Sequence, residues 1–369
     1  MKLYKNDEFI QDKDIMFAVA TNIISITILF LPRYITEHTV SSDGWLTILF
    51  GGLIAIILGW TLAKIASSFP NESFLSFASY LVSKPIAILL CFIFILQYIV
   101  ISSFQMREIA TLSHEYFFDR TPLEVVCLAF ILVVIYAVSG SRAAIFRLNI
   151  LFFPFVIGGL ALLILAPIGA IRLENLLPVF ETDLHGILLG TTSSLNAFLG
   201  FTIVLFYISL VKKPVKATKM TVLGILWPFS FYIIIFIVCV GVFGNVTTEN
   251  LYYPVFELSK MVSVPGIFFE RFDSILFIIW TIIVFSTCLM AFDVAVLLIN
   301  LLLPKLKKQT IVFILSPVIF FLAMLPKNYI QINETAKYMS YVEIFYIVFV
   351  TFLLGTMLLI KGVRANDSI

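Results

Sequence analysis

Ten long apolar runs separated by short polar segments make up most of this chain. A helix needs about 20 apolar residues to cross the hydrocarbon core of a membrane. The third helix is expected to extend to Tyr116, because its helical pattern continues through Arg107 and Glu108. The runs predict ten membrane-spanning helices, at about 15–32, 44–64, 86–106, 122–140, 148–170, 186–210, 219–242, 272–299, 309–325 and 341–360.

The first and the sixth runs are each interrupted near their centres by polar or small residues. The first contains Asn22, Ser25 and Thr27, and the sixth contains Thr191–Asn196 followed by Gly200. Taken singly, small residues also suit close packing between membrane helices. A broken helix at membrane depth, however, survives only where it lines a cavity or is buried in protein. The matched positions, first and sixth of ten, therefore favour two broken helices around a site.

These features predict an all-α integral membrane protein with ten transmembrane helices. Broken helices 1 and 6 are typical of the LeuT-like fold, in which two five-helix repeats are inverted relative to each other (5+5). We expect a single transmembrane domain over residues 1–369, with repeats at about 15–170 and 186–360. The apolar surface of such a domain contacts membrane lipid.

Composition agrees with a membrane protein and argues against several other classes. Hydrophobic residues make up 61% of the chain and charged residues 12%, far from a soluble balance. The net charge of +2 is too small to indicate a nucleic-acid partner. The four cysteines all lie inside apolar runs without metal-ligand or redox spacing, so we expect buried side chains. No metal site, cofactor or enzymatic nucleophile–base pair is predicted.

The distribution of positive charge predicts the orientation of the helices. With the amino end in the cytoplasm, 16 of the 24 lysine and arginine residues lie in cytoplasmic segments. Both termini are then cytoplasmic, and the longest outer loop covers about residues 243–271. Within it, Pro254–Val262 predicts a short interfacial helix, since Val255, Leu258 and Val262 share one face.

Candidate site residues lie near the two breaks and on the third and eighth helices. Asp293 is a carboxylate inside a span, which is a functional candidate by default, although a lysine at the cytoplasmic end is an alternative partner. Ser286 and Asp293 are candidates for ion coupling. The predicted ligand-binding residues are Ser25, Thr27, Ile101, Ser102, Leu199, Gly200, Thr202, Thr287 and Met290.

Several stretches resemble the B subunits of spore germinant receptors, distant members of the amino acid–polyamine–organocation transporter superfamily. The most specific is the block Pro265–Asp273, with Trp280 seven residues further on. The other stretches are Leu29–Arg33, Asp43–Trp45, Arg107 with Glu108, Arg120–Pro122, Asn175–Val179 and Phe198–Phe201. The chain departs from the family at Ser25 and Thr27, where glycines are usual, and at Thr202, where a glutamate is common.

The resemblance implies a set of partners and a function. Such a subunit lies in the inner membrane of the bacterial spore with an A subunit and a lipoprotein C subunit. It binds a nutrient, commonly an amino acid, and the complex triggers germination. The alternative is a stand-alone proton- or sodium-coupled amino acid transporter, which needs the same pocket.

Overall fold

The computed structural model describes residues 10–211, 214–260 and 272–361, and this part of the chain is built from α-helices joined by short turns. Residues 261–271, which include Val262 and most of the block Pro265–Asp273, lie outside the described residues. The helices are α1 (Asp12–Ile23), α2 (Leu31–Thr36), α3 (Gly44–Ser67), α4 (Phe74–Leu81), α5 (Lys84–Tyr116), α6 (Leu123–Ser139), α7 (Arg142–Leu165), α8 (Leu184–Phe198), α9 (Val204–Tyr207), α10 (Pro214–Phe243), α11 (Asn245–Asn250), α12 (Pro254–Lys260), α13 (Phe272–Leu302), α14 (Lys308–Met324) and α15 (Tyr329–Lys361).

The ten predicted crossings are all found in the described residues. Seven helical segments are long and apolar enough to span a membrane by themselves. The shorter apolar helices α6 and α14 have 17 residues each and coincide with the predicted fourth and ninth spans. The first crossing is made by α1, a turn and α2 together. The predicted extension of the third helix to Tyr116 is confirmed, because α5 ends at that residue.

Three short helices lie outside the ten crossings. The prediction of a helix from Pro254 is confirmed by α12, but its predicted place at the lipid interface is wrong. Val255, Phe256 and Leu258 are completely buried, and α12 packs on α13 and α2. The apolar face of α12 is therefore covered by protein and not by lipid. The helices α4 and α11 were not predicted, since both lie in connections between the apolar runs.

The broken helices and α13 form the centre of the molecule. In the most apolar stretch of the α8–α9 segment, 83% of the residues are buried, and the same share is buried in α13. The corresponding share in α15 is 28%. Helix α10 packs against both α1 and α3, and α5 packs along α13. Since the two breaks lie in these buried helices, their irregular backbone is shielded from lipid.

One buried carboxylate joins the loop before α3 to the segment before α8. The Asp43 carboxylate accepts hydrogen bonds from the backbone N–H groups of Phe180, Glu181 and Thr182 at 2.6–2.9 Å, and from the Thr182 hydroxyl. Burial by itself would raise the pKa of Asp43, but these hydrogen bonds outweigh it and hold the pKa below its ordinary value. The network holds the start of α8, and hence the second break, against the first half of the chain.

Candidate ligand-binding cavity

The first break is a turn whose freed backbone groups find partners within the protein. Helix α1 ends at Ile23, Ser25 has an extended backbone, and a 3₁₀ turn covers Ile26–Leu29. The Ser25 and Thr27 hydroxyls lie 3.0 Å apart. The Tyr232 hydroxyl donates to the Ile23 carbonyl at 2.7 Å, which satisfies an acceptor that a continuous helix would have used.

The second break faces the first at atomic contact. Helix α8 ends at Phe198, a 3₁₀ turn covers Leu199–Ile203, and α9 follows. The Asn22 Nδ2 donates to the Gly200 carbonyl at 2.8 Å. A Cβ atom at Gly200 would lie 2.6 Å from the Asn22 carbonyl oxygen, so only glycine permits this approach.

A cavity of about 570 Å³ lies against the two breaks, with α5 and α15 forming other parts of its wall. Six of the predicted ligand-binding residues line it and are thus brought together from three parts of the chain. They are Ser25, Thr27, Ile101, Leu199, Gly200 and Thr202. The Thr202 hydroxyl lies 2.9 Å from the Tyr98 hydroxyl, which also lines the cavity. That these residues bind a ligand stays a prediction.

The other three predicted ligand-binding residues lie behind the cavity wall. The Ser102 hydroxyl donates to the Tyr98 carbonyl at 2.8 Å, and the Thr287 hydroxyl donates to the Val284 carbonyl at 3.0 Å. Met290 is completely buried. All three residues lie on their helices at the predicted spacing. The side chains, however, face the packed interior between α5 and α13 and not the cavity.

The two candidate ion-coupling residues also lie away from the cavity lining. Asp293 is completely buried and forms ion pairs with Arg142 at 3.0 Å and Lys308 at 3.1 Å. It also accepts a hydrogen bond from the Tyr207 hydroxyl at 2.9 Å. The pairing of Asp293 with a lysine is thus present, and its role in ion coupling stays a prediction. Ser286 is buried as well, and its role in ion coupling stays a prediction.

A carboxylate of the last helix was missed by the sequence reasoning. Glu343 of α15 lines the cavity and accepts a hydrogen bond from Gln97 Nε2 at 2.8 Å. The signal was present, because Glu343 falls inside the predicted span 341–360 and a carboxylate within a span is a functional candidate.

The cavity has a polar mouth and an aromatic floor. At the mouth, the Tyr34 hydroxyl donates to Asn333 Oδ1 at 2.5 Å, and Glu37, His38 and Lys337 also line the wall. With the amino end in the cytoplasm, as the charge pattern predicts, this mouth is on the outer side. On the inner side, Tyr98 and Tyr346 line the cavity, and their rings pack edge-to-face on Phe206 and Phe94, which lie behind the wall.

Solved structures of two membrane proteins share this architecture. A structure of MhsT in complex with L-phenylalanine matches with a TM-score of 0.74, covering 95% of this chain and 89% of MhsT at 13% identity. A structure of Mhp1, a nucleobase-cation-symport-1 family transporter with bromovinylhydantoin bound, matches with a TM-score of 0.67, covering 90% of this chain and 75% of Mhp1 at 14% identity. At such identities the likeness concerns the fold alone, and it confirms the predicted all-α LeuT-like class.

Comparison of sequences then defines the family. The family model described as "Spore germination protein" matches residues 9–332. The chain is also 37% identical over 343 residues to the spore germination protein GerLB of Bacillus cereus, covering 91% of each chain. The chain therefore belongs to the spore germination protein family. The resemblance drawn from its motifs is confirmed at the level of this family, and the predicted function as a multi-pass membrane protein in spore germination is confirmed with it.

Proposed function

We propose that this chain senses a small-molecule nutrient, which binds in the cavity between the two helix breaks. The observation that carries the proposal is the contact of Asn22 with Gly200, since it brings both irregular segments to one cavity wall. The cavity volume of about 570 Å³ lies within the usual range for small-molecule sites. A change in the cavity is thereby coupled directly to the geometry of both broken helices.

An amino acid is the nutrient we propose. The MhsT structure of the same fold holds L-phenylalanine. The cavity combines hydroxyl and amide groups at the breaks with apolar side chains on α5, which suits a small ligand with polar and apolar parts. The subunit acts in the inner membrane of the spore, with a germinant receptor A subunit and a lipoprotein C subunit as its partners.

A stand-alone proton- or sodium-coupled amino acid transporter is the second candidate. The likeness to Mhp1, a transporter, favours it. The ion pairs of Asp293 favour sensing instead, because a carboxylate held by two cations and a tyrosine hydroxyl is poorly placed to carry a proton. Uphill uptake of labelled amino acid by the purified chain alone in liposomes would decide for the transporter.

Bulky substitutions in the cavity wall test the proposal. Leu199→Phe and Ile101→Phe each add volume to the wall, and overpacking of about 1–3 kcal/mol corresponds to about a 5- to 150-fold loss of affinity. We expect spores with either variant to need more of the L-amino acid that triggers the wild type, at unchanged receptor level in immunoblots.

Leu188→Phe is the matched control, because Leu188 lies on α8 with 58% of its surface exposed and does not line the cavity. Its dose–response curve should coincide with that of the wild type. Unchanged curves for both Leu199→Phe and Ile101→Phe would place the nutrient site elsewhere.

A further inference from the structure

Glu343 is a carboxylate in a membrane-spanning helix that lacks a cationic partner among the described residues. It is half-buried, and the neutral amide of Gln97 donates a hydrogen bond to it at 2.8 Å. Within residues 10–211, 214–260 and 272–361, no lysine or arginine forms an ion pair with it. Ionisable groups at this depth are expensive unless they are paired, so an unpaired one indicates a ligand.

The same wall of the cavity carries further acceptors without a donor. Gln97 Oε1 is buried and receives no hydrogen bond, although the Nε2 atom of the same amide contacts Glu343. Gln105 lies on the same face of α5 and is 6% exposed. Its Oε1 atom is also buried and receives no hydrogen bond. Buried acceptors are normally satisfied, so this side of the cavity is suited to a group that donates hydrogen bonds.

The aromatic floor next to Glu343 supplies no donor to it. The Tyr346 hydroxyl, one turn along α15, donates to the Leu90 carbonyl at 2.9 Å. Tyr346 lines the cavity, and its ring packs against the buried ring of Phe94 behind it, with the ring centroids 4.8 Å apart. Glu343 thus shares its part of the cavity wall with the largely apolar side chains of Tyr346 and Ile93. In such surroundings an opposite charge interacts with a carboxylate more strongly than in water.

We propose that Glu343 and Gln97 form a subsite for an alkylammonium group of the ligand. The inference rests on the proposed function and deepens it, since it makes the nutrient an amine-bearing molecule. An ammonium group has a full positive charge and three N–H donors. The Glu343 carboxylate neutralises the charge, and the free Gln97 Oε1 accepts one of the donors. An analogue that lacks the amino group leaves these acceptors unsatisfied.

A bare metal cation suits the subsite less well. Glu343 and Gln97 are adjacent, but Gln105 lies eight residues along α5, about 12 Å away along the helix axis. A hard cation such as Ca²⁺ takes six or more oxygen ligands close together. The spacing of the acceptors thus favours an extended organic ligand with its ammonium group at Glu343.

The first test uses the unaltered receptor and matched pairs of compounds. L-Alanine is compared with propionate, and L-phenylalanine with 3-phenylpropionate, as triggers of germination and as ligands of the purified full-length chain. Each pair differs by the amino group alone. We expect the amino compound of at least one pair to bind and trigger germination, and its deaminated partner to do neither. Equal potency of the deaminated partner would overturn the subsite.

The second test neutralises the carboxylate. Glu343→Gln keeps the size of the side chain, and loss of a charge-assisted hydrogen bond should raise the half-maximal concentration of the amino compound about 10- to 150-fold. The maximal response at saturating ligand should be kept. Glu334→Gln, the same change at an exposed position of α15, should leave the curve unchanged. Glu343→Asp, which keeps the charge, should recover part of the sensitivity.

The outcomes separate this inference from the proposed function. If Leu199→Phe reduces sensitivity but Glu343→Gln does not, the cavity binds the nutrient and the ammonium subsite is wrong. If neither variant has an effect, both are wrong. If the wild-type response requires sodium and Glu343→Gln abolishes that requirement, the carboxylate binds a metal cation and the inference is overturned.

Discussion

Asn22 of α1 and Gly200 of the turn after α8 hold the two helix breaks together. The side-chain amide of Asn22 donates to the Gly200 carbonyl at 2.8 Å, and the Asn22 backbone fills the space where a Cβ of residue 200 would lie. Residues 178 positions apart in sequence thus control one backbone contact. The two breaks are therefore in direct contact at this point.

A methyl group at Gly200 is expected to force the two breaks apart. In Gly200→Ala, the added Cβ would lie 2.6 Å from the Asn22 carbonyl oxygen and 2.9 Å from the Ile23 nitrogen. Both are backbone atoms that cannot rotate away, so we expect destabilisation of about 1–3 kcal/mol. Thermal unfolding of the purified chain should show a lower midpoint, and germination should need a higher nutrient concentration.

Gly158→Ala is the control for that substitution. Gly158 lies in α7, and a Cβ there would meet no atom within 4 Å. Alanine is the better helix former by up to about 1 kcal/mol, so the midpoint should stay the same or rise. If Gly200→Ala has the same unfolding midpoint and needs the same nutrient concentration for germination as Gly158→Ala, close contact of the two breaks is not required.

The ion pairs of Asp293 predict a large effect on stability. Asp293→Asn leaves Arg142 and Lys308 facing a neutral amide, and breaking a buried pair costs about 3–5 kcal/mol. The double variant Asp293→Asn/Arg142→Gln removes one charge of each sign. We expect its loss of unfolding free energy to be smaller than the sum of the losses of the two single variants, because the residues interact directly. Losses that simply add would argue against a direct coupling.

The Asp43 network predicts a defined pH dependence. Its pKa in the folded chain lies below the ordinary value of 3.8, so its stabilisation is present above that pH and is lost as the pH falls through the folded pKa. Asp43→Asn should cost about 1–3 kcal/mol at pH 7, because hydrogen-bond donors lose their charged acceptor. The difference in unfolding midpoint between wild type and variant should stay constant from neutral pH to about pH 5 and shrink below about pH 4.

Asp119→Asn serves as the reference for the pH series. Asp119 is exposed on the turn after α5, so its substitution should leave the midpoint unchanged at neutral pH. A wild-type advantage over Asp43→Asn that grew on acidification would contradict the sign derived for Asp43.

Reporter fusions test the orientation of the helices. Residue 260 ends α12 and Lys308 begins α14, with α13 crossing the membrane between them. With both termini in the cytoplasm, a fusion after residue 260 should report outside and a fusion after residue 308 inside. A fusion after Gly140, between α6 and α7, should also report inside. The reverse pattern would invalidate the orientation drawn from the lysine and arginine residues.

Hydrophobic length and pattern alone determined the membrane class, the ten crossings and the two broken helices. Each depends on local properties: a run of about 20 apolar residues spans a bilayer wherever it occurs, and polar residues within it mark the break. The end of α5 at Tyr116 was likewise readable from helical spacing. The packing of α12 could not be predicted from the sequence. Val255 and Leu258 form an apolar face that fits a membrane surface as well as a neighbouring helix.

Only the tertiary structure decided which polar residues share the cavity. Helical spacing places Thr287 and Met290 on one face, but the rotation of α13 turns that face into the interior. The ion pair of Asp293 with Arg142 joins residues 151 positions apart, and the contact of Gln97 with Glu343 joins residues 246 positions apart. The periodicity of one helix carries no information on its rotation against another, because that rotation is set by the packing of all its neighbours.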